Sequence, residues 1–352
     1  MNIAFVLPRD KNKAIGGFKV VYEYANRLVK RGHNITILYN NVSTLEHYRL
    51  PLWLKHGLIS FRTDLYPKWF DLDPAVKKIS YFGGQYDKET FDAVFATSVG
   101  SVKPTKEAFP EGNLFYLIQD YENWGVDEDY VKATYKMGMH NVVVSKWLKG
   151  IVQEIAGDEP VLLSNPIDLD VYKQIIPPQK RDPFSVGLLY HKNANKGLKY
   201  SFKALHDLKK KYPSLSVKMF GTSRIKEHLP GWIKYTRNAS TAQTVSIYNS
   251  VAVFMCSSTD EGFGLTGMEA MACGAALAST DYTGVKEYAI DGYNALLSPV
   301  KDIDGMVRNV SRLIEDKQLR EYMSSNAKNI LMDRTWDHNV SMLELIIKQS
   351  IR

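Results

Sequence analysis

The stretch Glu261–Gly274, EGFGLTGMEAMACG, decides the fold, because it joins an apolar run to a short helix through closely spaced glycines. The run from Val251 to Cys256 predicts a buried strand, and Gly274 suits the position just after a helix. A strand, a glycine-rich turn and a helix point backbone N–H groups at an anion. We therefore expect an anion at the turn, between Glu261 and Glu269, two carboxylates eight residues apart.

A structural interpretation of the second glutamate stays open at the level of sequence. Thr266 and Glu269 have the spacing of a capping box, in which the glutamate side chain only closes the start of its own helix. In that case Glu269 stabilises the helix and touches no ligand.

The glycines of the same stretch allow another alternative. Gly262, Gly264 and Gly267 spell the G-x-G-x-x-G fingerprint of dinucleotide sites, with Glu287 about 20 residues further on. That fingerprint normally follows the first strand of its βαβ unit directly, whereas residues 257–261 intervene here, late in the chain. A dinucleotide-dependent oxidoreductase is therefore one alternative function, and a sugar-nucleotide binding module without catalysis is another.

The paired glutamates and a second segment, TDYTGVKEYAIDGYNALL at residues 280–297, resemble the donor-binding half of the family 4 glycosyltransferases. The resemblance implies the GT-B fold: two Rossmann-like, doubly wound parallel-sheet domains face each other across a cleft, and a C-terminal helix crosses back to the first. It also implies retaining transfer of a sugar from a nucleoside-diphosphate sugar to an acceptor hydroxyl, in the synthesis of cell-surface polysaccharide or glycolipid.

The same resemblance assigns roles to individual residues. Glu261 is expected at the sugar and Lys196 at the diphosphate, which makes these two the catalytic residues, and Glu269 is expected at the ribose. The family's usual arginine is missing after Gly187, so His191 or Lys192 is expected to supply a second phosphate contact. The other expected donor contacts are Gly262, Phe263, Gly264, Leu265, Thr266, Arg237 near the base, and Glu287, for which an exposed pair with Lys286 is the alternative.

The N-terminal part of the chain predicts a βαβ unit. Residues 3–8 and 34–39 have the composition of strands, and apolar positions repeat at helical spacing between about 19 and 30. Gly16 and Gly17 lie where the first strand meets this helix, the usual ligand position in parallel sheets. The resemblance to family 4 implies that they lie, with Gln119 and Asp120 at the end of a later strand, on the acceptor and diphosphate side, although simple turns explain them too. Many members of the family carry a histidine at the place of Gln119 or Asp120.

Domain boundaries are expected in two places. The tetrapeptide Asn165-Pro166-Ile167-Asp168 resembles the family's hinge, and a proline-rich loop follows it. We expect an acceptor-side domain over residues 1–170, a nucleotide-sugar domain over 171–335 and a returning helix over 336–352.

Composition limits the class of protein. The chain has 352 residues, 45% of them hydrophobic and 24% charged, as in a soluble globular protein of two domains. No apolar run reaches the roughly 18 residues that span a membrane, and the N-terminus reads as a strand rather than a signal peptide. Cys256 and Cys273 are expected as buried free thiols, which fits the cytoplasm. Several D-x-D triplets are expected as caps and turns, and no metal or other cofactor is expected.

The net charge of +7 suits anionic partners, although a protein that is simply basic and soluble explains it equally well. No nucleic-acid motif accompanies it, so we expect a nucleotide sugar, a saccharide or lipid-linked acceptor, and an anionic membrane at whose inner face the protein is peripheral. Residues 45–82 mix aromatic and basic side chains, which is typical of segments that lie on such a surface, but core packing with solvated charges explains the mixture as well.

Overall fold

The computed structural model describes residues 1–9, 12–42, 51–123, 125–225 and 228–351. The chain forms two compact units, Met1–Ser164 with Asp337–Arg352, and Asn165–Trp336. Residues 45–50 of the segment expected at a membrane lie outside the described residues.

The first unit is built on a parallel sheet. Within the described ranges its strands are β1 (Asn2–Pro8), β2 (Asn34–Asn40), β3 (Lys77–Tyr81), β4 (Ala93–Ala96), β5 (Leu114–Ile118), β6 (His140–Val143) and β7 (Val161–Leu162), and its helices are α1 (Gly16–Lys30), α2 (Leu52–Leu65), α3 (Val99–Ala108), α4 (Glu128–Tyr135) and α5 (Lys146–Ala156). The strand order is β3-β2-β1-β4-β5-β6-β7. The order reverses between β1 and β4, as in a doubly wound Rossmann-like sheet.

The second unit repeats this design. Its described strands are β8 (Ser185–Leu189), β9 (Ser216–Gly221), β10 (Ile233–Arg237), β11 (Val253–Cys256), β12 (Ala276–Thr280) and β13 (Ala295–Ser298), and its helices are α6 (Leu198–Lys211), α7 (Thr241–Ser250), α8 (Leu265–Ala272), α9 (Ile303–Glu315) and α10 (Lys317–Leu331). The order is β10-β9-β8-β11-β12-β13, again parallel, with the reversal between β8 and β11.

Helix α1 begins three residues earlier than its apolar pattern predicts. The amide of Lys19 donates to the carbonyl of Ile15 at 3.0 Å, so Gly16 and Gly17 form the first turn. The pattern could not reveal this start, because glycine carries no side chain to bury.

Asp316 divides the helical region near the end of the chain. It ends α9, and its carboxylate accepts from the amide of Leu319 at 2.9 Å to begin α10. The final helix, α11 (Trp336–Ser350), has an apolar stripe at helical spacing. The residues of that stripe, Trp336, Val340, Leu343, Ile346 and Ile347, are all buried. In the first unit α11 also binds the turn between α1 and β2, since Glu344 accepts from His33 at 2.8 Å.

One aspartate of each D-x-D triplet acts as a cap or turn residue, as predicted. Asp127 and Asp302 cap α4 and α9 by accepting from the amides of Tyr130 and Gly305. Their counterparts Asp73 and Asp168 accept from backbone amides two residues further on. Cys256 and Cys273 are buried free thiols, which confirms that prediction too.

Candidate active site

In the second unit, the loops after β8 and β11 meet at the carboxyl edge of the sheet, because the strand order reverses between these strands. The first loop carries His191 and Lys196, and the second carries Glu261. The amide of Thr259 donates to the carbonyl of Asn195 at 2.7 Å, which ties the two loops together. The fold therefore brings together the two residues predicted as catalytic, although 65 positions separate them.

The glycine after Lys196 permits this close approach. Gly197 has a φ of 62°, and a Cβ atom there would lie 1.8 Å from the carbonyl oxygen of Ser257. The hydroxyl of Ser257 donates to the carbonyl of Gly197 at 2.9 Å. The Lys-Gly pair thus fixes the loop against the end of β11 and, with it, the root of the Lys196 side chain.

Lys196 and Glu261 form an ion pair. The ammonium lies 2.5 Å from Oε2 of Glu261, and the two side chains are 25% and 10% exposed. The hydroxyl of Ser258 donates to the other carboxylate oxygen. Thr283 and Gly284 hold the Glu261 backbone by donating to its carbonyl at 2.8 and 3.1 Å. The pair thus sets a cation, which can bind an anion, beside a carboxylate, which can accept hydroxyl groups.

His191 lies beside this pair, whereas Lys192 is exposed. The amide of Asn193 donates to Nδ1 of His191 at 3.1 Å, so the neutral ring carries its proton on Nε2. Burial lowers the pKa of His191, the ammonium of Lys196 lowers it further, and the carboxylate of Glu261 opposes them. At neutral pH the ring is therefore an uncharged N–H donor.

The capping-box interpretation of Glu269 is wrong. Helix α8 begins at Leu265 with Gly264 as its N-cap, so Thr266 and Glu269 do not hold the two positions of a capping box. Instead, the buried carboxylate of Glu269 accepts from the hydroxyl of Tyr248 at 2.9 Å. Gly274, with a φ of 85°, follows the helix as predicted.

Two tyrosines shape the glycine turn that precedes α8. Gly264 has a φ of 89°, and a Cβ atom there would lie 1.8 Å from the hydroxyl oxygen of Tyr282. The hydroxyl of Tyr288 donates to the carbonyl of Gly264 at 2.7 Å. The amides of Leu265 and Thr266 follow at the helix start, where N–H groups have no acceptor within the helix. This end of α8 is suited to an anion.

The other residues of the turn bear on the predicted contacts and on the dinucleotide alternative. Phe263 is 3% exposed and packs on the ring of Tyr288 at 5.6 Å, so only the backbone of Gly262 and Phe263 is available to a ligand.

Residues 257–264 separate β11 from α8, and β11 is the fourth strand of its unit. This geometry is not that of a dinucleotide fingerprint, which requires a tight turn after a first strand, and the oxidoreductase alternative is not favoured.

Glu287 and Arg237 have different surroundings. Glu287 is 8% exposed, while Lys286 pairs with Asp281 at 3.1 Å, so the predicted alternative of an exposed Glu287–Lys286 pair is wrong. Burial lowers the pKa of Arg334, and the charge of Glu287 opposes this effect. Arg237 is exposed at the end of β10, where its Nε donates to the carbonyl of Thr222 at 3.3 Å.

The first unit brings together two of its four predicted residues. A Cβ atom on Gly17 would lie 3.2 Å from Nε2 of Gln119, and that Nε2 donates to the carbonyl of Thr97 at 3.4 Å. Gly16 is exposed, and Asp120 accepts from the amide of Tyr121 at 2.9 Å, as in a turn. Gly17 and Gln119 therefore lie at the carboxyl edge of β1 and β5.

Glu122 is a residue of this edge to which the sequence assigned no role. Its carboxylate accepts from the amide of Val99, at the start of α3, at 2.6 Å. Burial raises the pKa of Glu122 from 4.5 to about 7, the Val99 amide opposes the rise, and Asp120 adds to it. Sequence offers no signal for this contact, because the partner is 23 positions away and contributes only its backbone.

Glu122 is expected to give the stability of the protein a pH dependence. Between its ordinary pKa and about 7, the folded protein keeps a proton that the unfolded chain releases, so the free energy of unfolding falls as pH rises. Relative to Glu122→Gln, we expect the wild type to lose on the order of 1 kcal/mol between about pH 5 and about pH 8. Urea denaturation across this range measures the difference, and parallel curves for the two proteins would contradict it.

The described ranges contain neither a metal-binding cluster nor a membrane-spanning helix. No group of three His, Cys, Asp or Glu side chains there is placed to hold a metal ion. No described helix has the length and apolar character needed to cross a membrane.

Comparison with known proteins supports the fold. Residues 172–330 match the family described as Glycosyl transferases group 1. The chain is similar to the solved structure of sucrose-phosphate synthase from Thermosynechococcus elongatus, with 13% identity, a TM-score of 0.78 and coverage of 99% of this chain and 98% of that one. It is also similar to Anabaena HepE in complex with UDP and glucose, with 14% identity, a TM-score of 0.77 and coverage of 99% and 100%. The predicted GT-B fold is confirmed.

Curated relatives match over shorter stretches. An uncharacterized glycosyltransferase of Methanocaldococcus jannaschii, MJ1069, is 26% identical over 64% of this chain and 62% of its own length. The phosphatidyl-myo-inositol mannosyltransferase of Mycolicibacterium smegmatis is 25% identical over 51% of this chain and 49% of its own length. The capsular polysaccharide biosynthesis glycosyltransferase CapM of Staphylococcus aureus is 26% identical over 30% and 29%. The chain spans less than two-thirds of the length of each of these relatives.

Proposed function

We propose that this protein is a retaining glycosyltransferase of the family 4 type, which moves a hexosyl or deoxyhexosyl group from a nucleoside-diphosphate sugar to an acceptor hydroxyl. The observation that carries the proposal is the Lys196–Glu261 ion pair at the switch point of the second sheet. The match of residues 172–330 to the group 1 glycosyltransferases supports it. In this proposal the second unit binds the donor and the first unit binds the acceptor.

The chemistry depends on charge that develops on the diphosphate. As the bond between the sugar C1 and the phosphate oxygen breaks, the diphosphate gains negative charge and the sugar becomes oxocarbenium-like. Lys196 and the amides of Leu265 and Thr266 stabilise this leaving group. The acceptor oxygen then bonds to C1 from the same face, and its proton passes to the leaving phosphate oxygen. No group on the enzyme is needed as a nucleophile.

When the donor binds, its diphosphate and sugar hydroxyls replace part of the ion pair between Lys196 and Glu261. Without a donor, the ammonium of Lys196 is held by Glu261 at 2.5 Å. A diphosphate oxygen takes over part of this contact, and sugar hydroxyls occupy the carboxylate of Glu261. Because both groups are already positioned, little ordering is needed when the donor binds.

The remaining donor contacts lie along the same edge of the second unit. Glu269 accepts from the ribose hydroxyls, and its Tyr248 contact holds the carboxylate in place. Arg237 lies beside the base. Glu287, which is buried, is a further donor contact in this proposal, and Gly262 and Phe263 contribute backbone contacts at the turn.

The acceptor is proposed to be a saccharide or a lipid-linked saccharide of a cell-surface polysaccharide or glycolipid pathway. Gly16, Gly17, Gln119 and Asp120 face it, and the amide of Gln119 suits hydroxyl groups. The similarity to CapM, a glycosyltransferase of capsular polysaccharide biosynthesis, and to the phosphatidyl-myo-inositol mannosyltransferase supports this choice. The protein then works in the cytoplasm, at the inner face of the membrane, and needs no metal or other cofactor.

A panel of nucleoside diphosphates and their sugars tests the function. UDP and UDP-sugars come first, because HepE was solved with UDP and glucose. We expect one nucleoside diphosphate to raise the unfolding temperature and its sugar to be consumed in an acceptor mixture. Binding without consumption would favour a non-catalytic binding module, and a panel without any shift would contradict the proposal.

His191 supplies the second phosphate contact in this proposal, through its Nε2–H. We expect His191→Ala to lower kcat/KM for the donor about fivefold, since a single neutral hydrogen bond contributes on the order of 1 kcal/mol. Lys192→Ala is the matched control, and we expect it to change kcat/KM less than about twofold because Lys192 is exposed.

The pH dependence of donor KM shows whether His191 contacts the donor phosphate or only supports the loop. Protonation of the ring adds a positive charge beside Lys196, so donor KM of the wild type is expected to change as pH falls below the lowered pKa of His191. His191→Gln keeps an N–H donor without titrating, and its profile is expected to be flat there. Equal losses for the Ala variants at 191 and 192 would assign the contact elsewhere.

A further inference from the structure

Two buried tyrosines that follow β12 reach back to the glycine turn before α8. Tyr282 and Tyr288 flank the short helical turn Thr283–Glu287, and each is 1% exposed. The hydroxyl of Tyr288 donates to the carbonyl of Gly264 at 2.7 Å. The hydroxyl oxygens of the two tyrosines lie 2.8 Å apart. The two phenols therefore form a chain of hydrogen bonds that ends on the turn.

The hydrogen bonds of this chain run in one direction. A phenol has a single proton, and Tyr288 donates its proton to Gly264, so between the two tyrosines Tyr282 donates and Tyr288 accepts. Burial raises the pKa of both hydroxyls well above the usual value of a tyrosine, so both protons stay in place at neutral pH. We call the chain from Tyr282 through Tyr288 to the Gly264 carbonyl the tyrosine relay.

Two glycines leave room for the tyrosine relay. A Cβ atom on Gly264 would lie 1.8 Å from the hydroxyl oxygen of Tyr282, and one on Gly267 would lie 2.5 Å from that of Tyr288. Real Cβ atoms do not come this close to another atom. The two phenol hydroxyls thus occupy the space that side chains at positions 264 and 267 would need, which gives these glycines a role unrelated to a dinucleotide.

The carbonyl at the end of the relay belongs to the peptide group that also carries the first amide of α8. The Gly264 carbonyl and the Leu265 N–H are the two ends of one planar trans peptide, so they point in opposite directions. A hydrogen bond that holds the carbonyl therefore also fixes where the N–H points. Hydrogen bonds in a chain polarise one another, so a donor on the carbonyl makes the N–H a stronger donor on the other side.

We propose that Tyr288 and, through it, Tyr282 are positioning residues of the transfer reaction, which orient and polarise the Leu265 amide toward the leaving diphosphate. Neither phenol touches the substrate, because both are buried within the second unit. The effect grows as negative charge develops on the leaving oxygen, so the relay lowers the barrier more than it tightens donor binding. The inference rests on the proposed function, because it names the groups that support the leaving-group site of that reaction.

Tyr288→Phe tests the relay in the full chain, with the donor and acceptor that the nucleotide panel identifies. The substitution removes the hydrogen bond to Gly264 and keeps the ring. We expect kcat to fall about fivefold to tenfold and donor KM to change less than about twofold, since the contact matters most in the transition state. Affinity for the free nucleoside diphosphate, which carries the charge that develops during transfer, is expected to fall about fivefold in calorimetric titration.

Tyr22→Phe is the matched control. Tyr22 and Tyr39 form another buried hydroxyl pair, at 2.7 Å in the first unit, and are 0% and 1% exposed. We expect the control to lower the unfolding temperature about as much as Tyr288→Phe does, and to keep the wild-type kcat. Tyr282→Phe removes only the outer hydrogen bond of the relay, so a fall in kcat of about twofold is expected. This milder variant decides the question if Tyr288→Phe does not fold.

Gly267→Ala tests the same contact from the other side. The added methyl group takes the place of the Tyr288 hydroxyl, so kcat is expected to fall about as far as in Tyr288→Phe. Because both changes break one contact, we expect the double variant Gly267→Ala/Tyr288→Phe to be about as slow as the slower single variant. Losses in kcat that multiply in the double variant would contradict a shared contact.

Further outcomes separate the relay from the proposed function. A wild-type kcat in Tyr288→Phe, a loss confined to donor KM, or an equal loss in Tyr22→Phe would overturn the relay and leave the proposed function intact, since the wild type still transfers sugar. A wild type that binds no nucleoside diphosphate and consumes no donor would overturn both.

Discussion

Lys196→Ala is expected to lower kcat for sugar transfer at least about 100-fold, because it removes the one side-chain cation that we place on the leaving diphosphate. Its ammonium lies 2.5 Å from Glu261 at the meeting point of two loops, so its position is fixed before the donor binds. The unfolding temperature is expected to stay close to that of the wild type. Initial rates with the donor identified by the panel measure the effect.

Controls separate charge from fold at this position. Lys192→Ala removes a lysine of the same loop that is exposed, and its turnover is expected to match the wild type. Lys196→Arg keeps the positive charge but spreads it over a planar guanidinium group in place of a compact ammonium, so partial activity is expected. Wild-type turnover in Lys196→Ala would remove the cation from the mechanism, and an equal loss in both alanine variants would point to a defect of the whole loop.

Much of the architecture follows from local patterns in the sequence. The apolar runs form buried strands and the apolar period of residues 19–30 forms α1, as the sequence predicts. Each element buries its side chains at the spacing that its own secondary structure imposes, so the βαβ units can be predicted. Helix starts are less predictable. Gly16 and Gly264 both lie at helix starts, and neither residue shows its role through an apolar period.

Contacts between residues far apart in the chain cannot be predicted from local patterns, for a different reason. The sequence predicts Lys196 and Glu261 separately, but not that they pair, because the pairing depends on the strand order. Arg181 is a second case: its buried guanidinium donates to the carbonyls of Ile176, Tyr248, Val251 and Cys273. A lone arginine in a proline-rich loop gives no sign of this, since all four acceptors are backbone atoms.

Glu269→Gln is expected to weaken binding of the cognate nucleoside diphosphate about 10- to 100-fold. A hydrogen bond to a charged group contributes roughly 1.5–3 kcal/mol, and the amide offers the ribose only one acceptor, without charge. The substitution keeps the side-chain volume, and the hydroxyl of Tyr248 still finds an acceptor in the amide oxygen. Calorimetric titration measures the affinity, and thermal unfolding is expected to be unchanged.

Tyr248→Phe makes the opposite change and completes this test. It removes the hydroxyl that lies 2.9 Å from Glu269 but keeps the carboxylate. We expect it to lower the free energy of unfolding by about 1–2 kcal/mol, because a buried carboxylate loses a donor, while affinity falls less than in Glu269→Gln. A carboxylate that serves only the fold would give the reverse pattern: Glu269→Gln would lose stability and keep the nucleotide. The two variants therefore decide whether Glu269 binds the ribose.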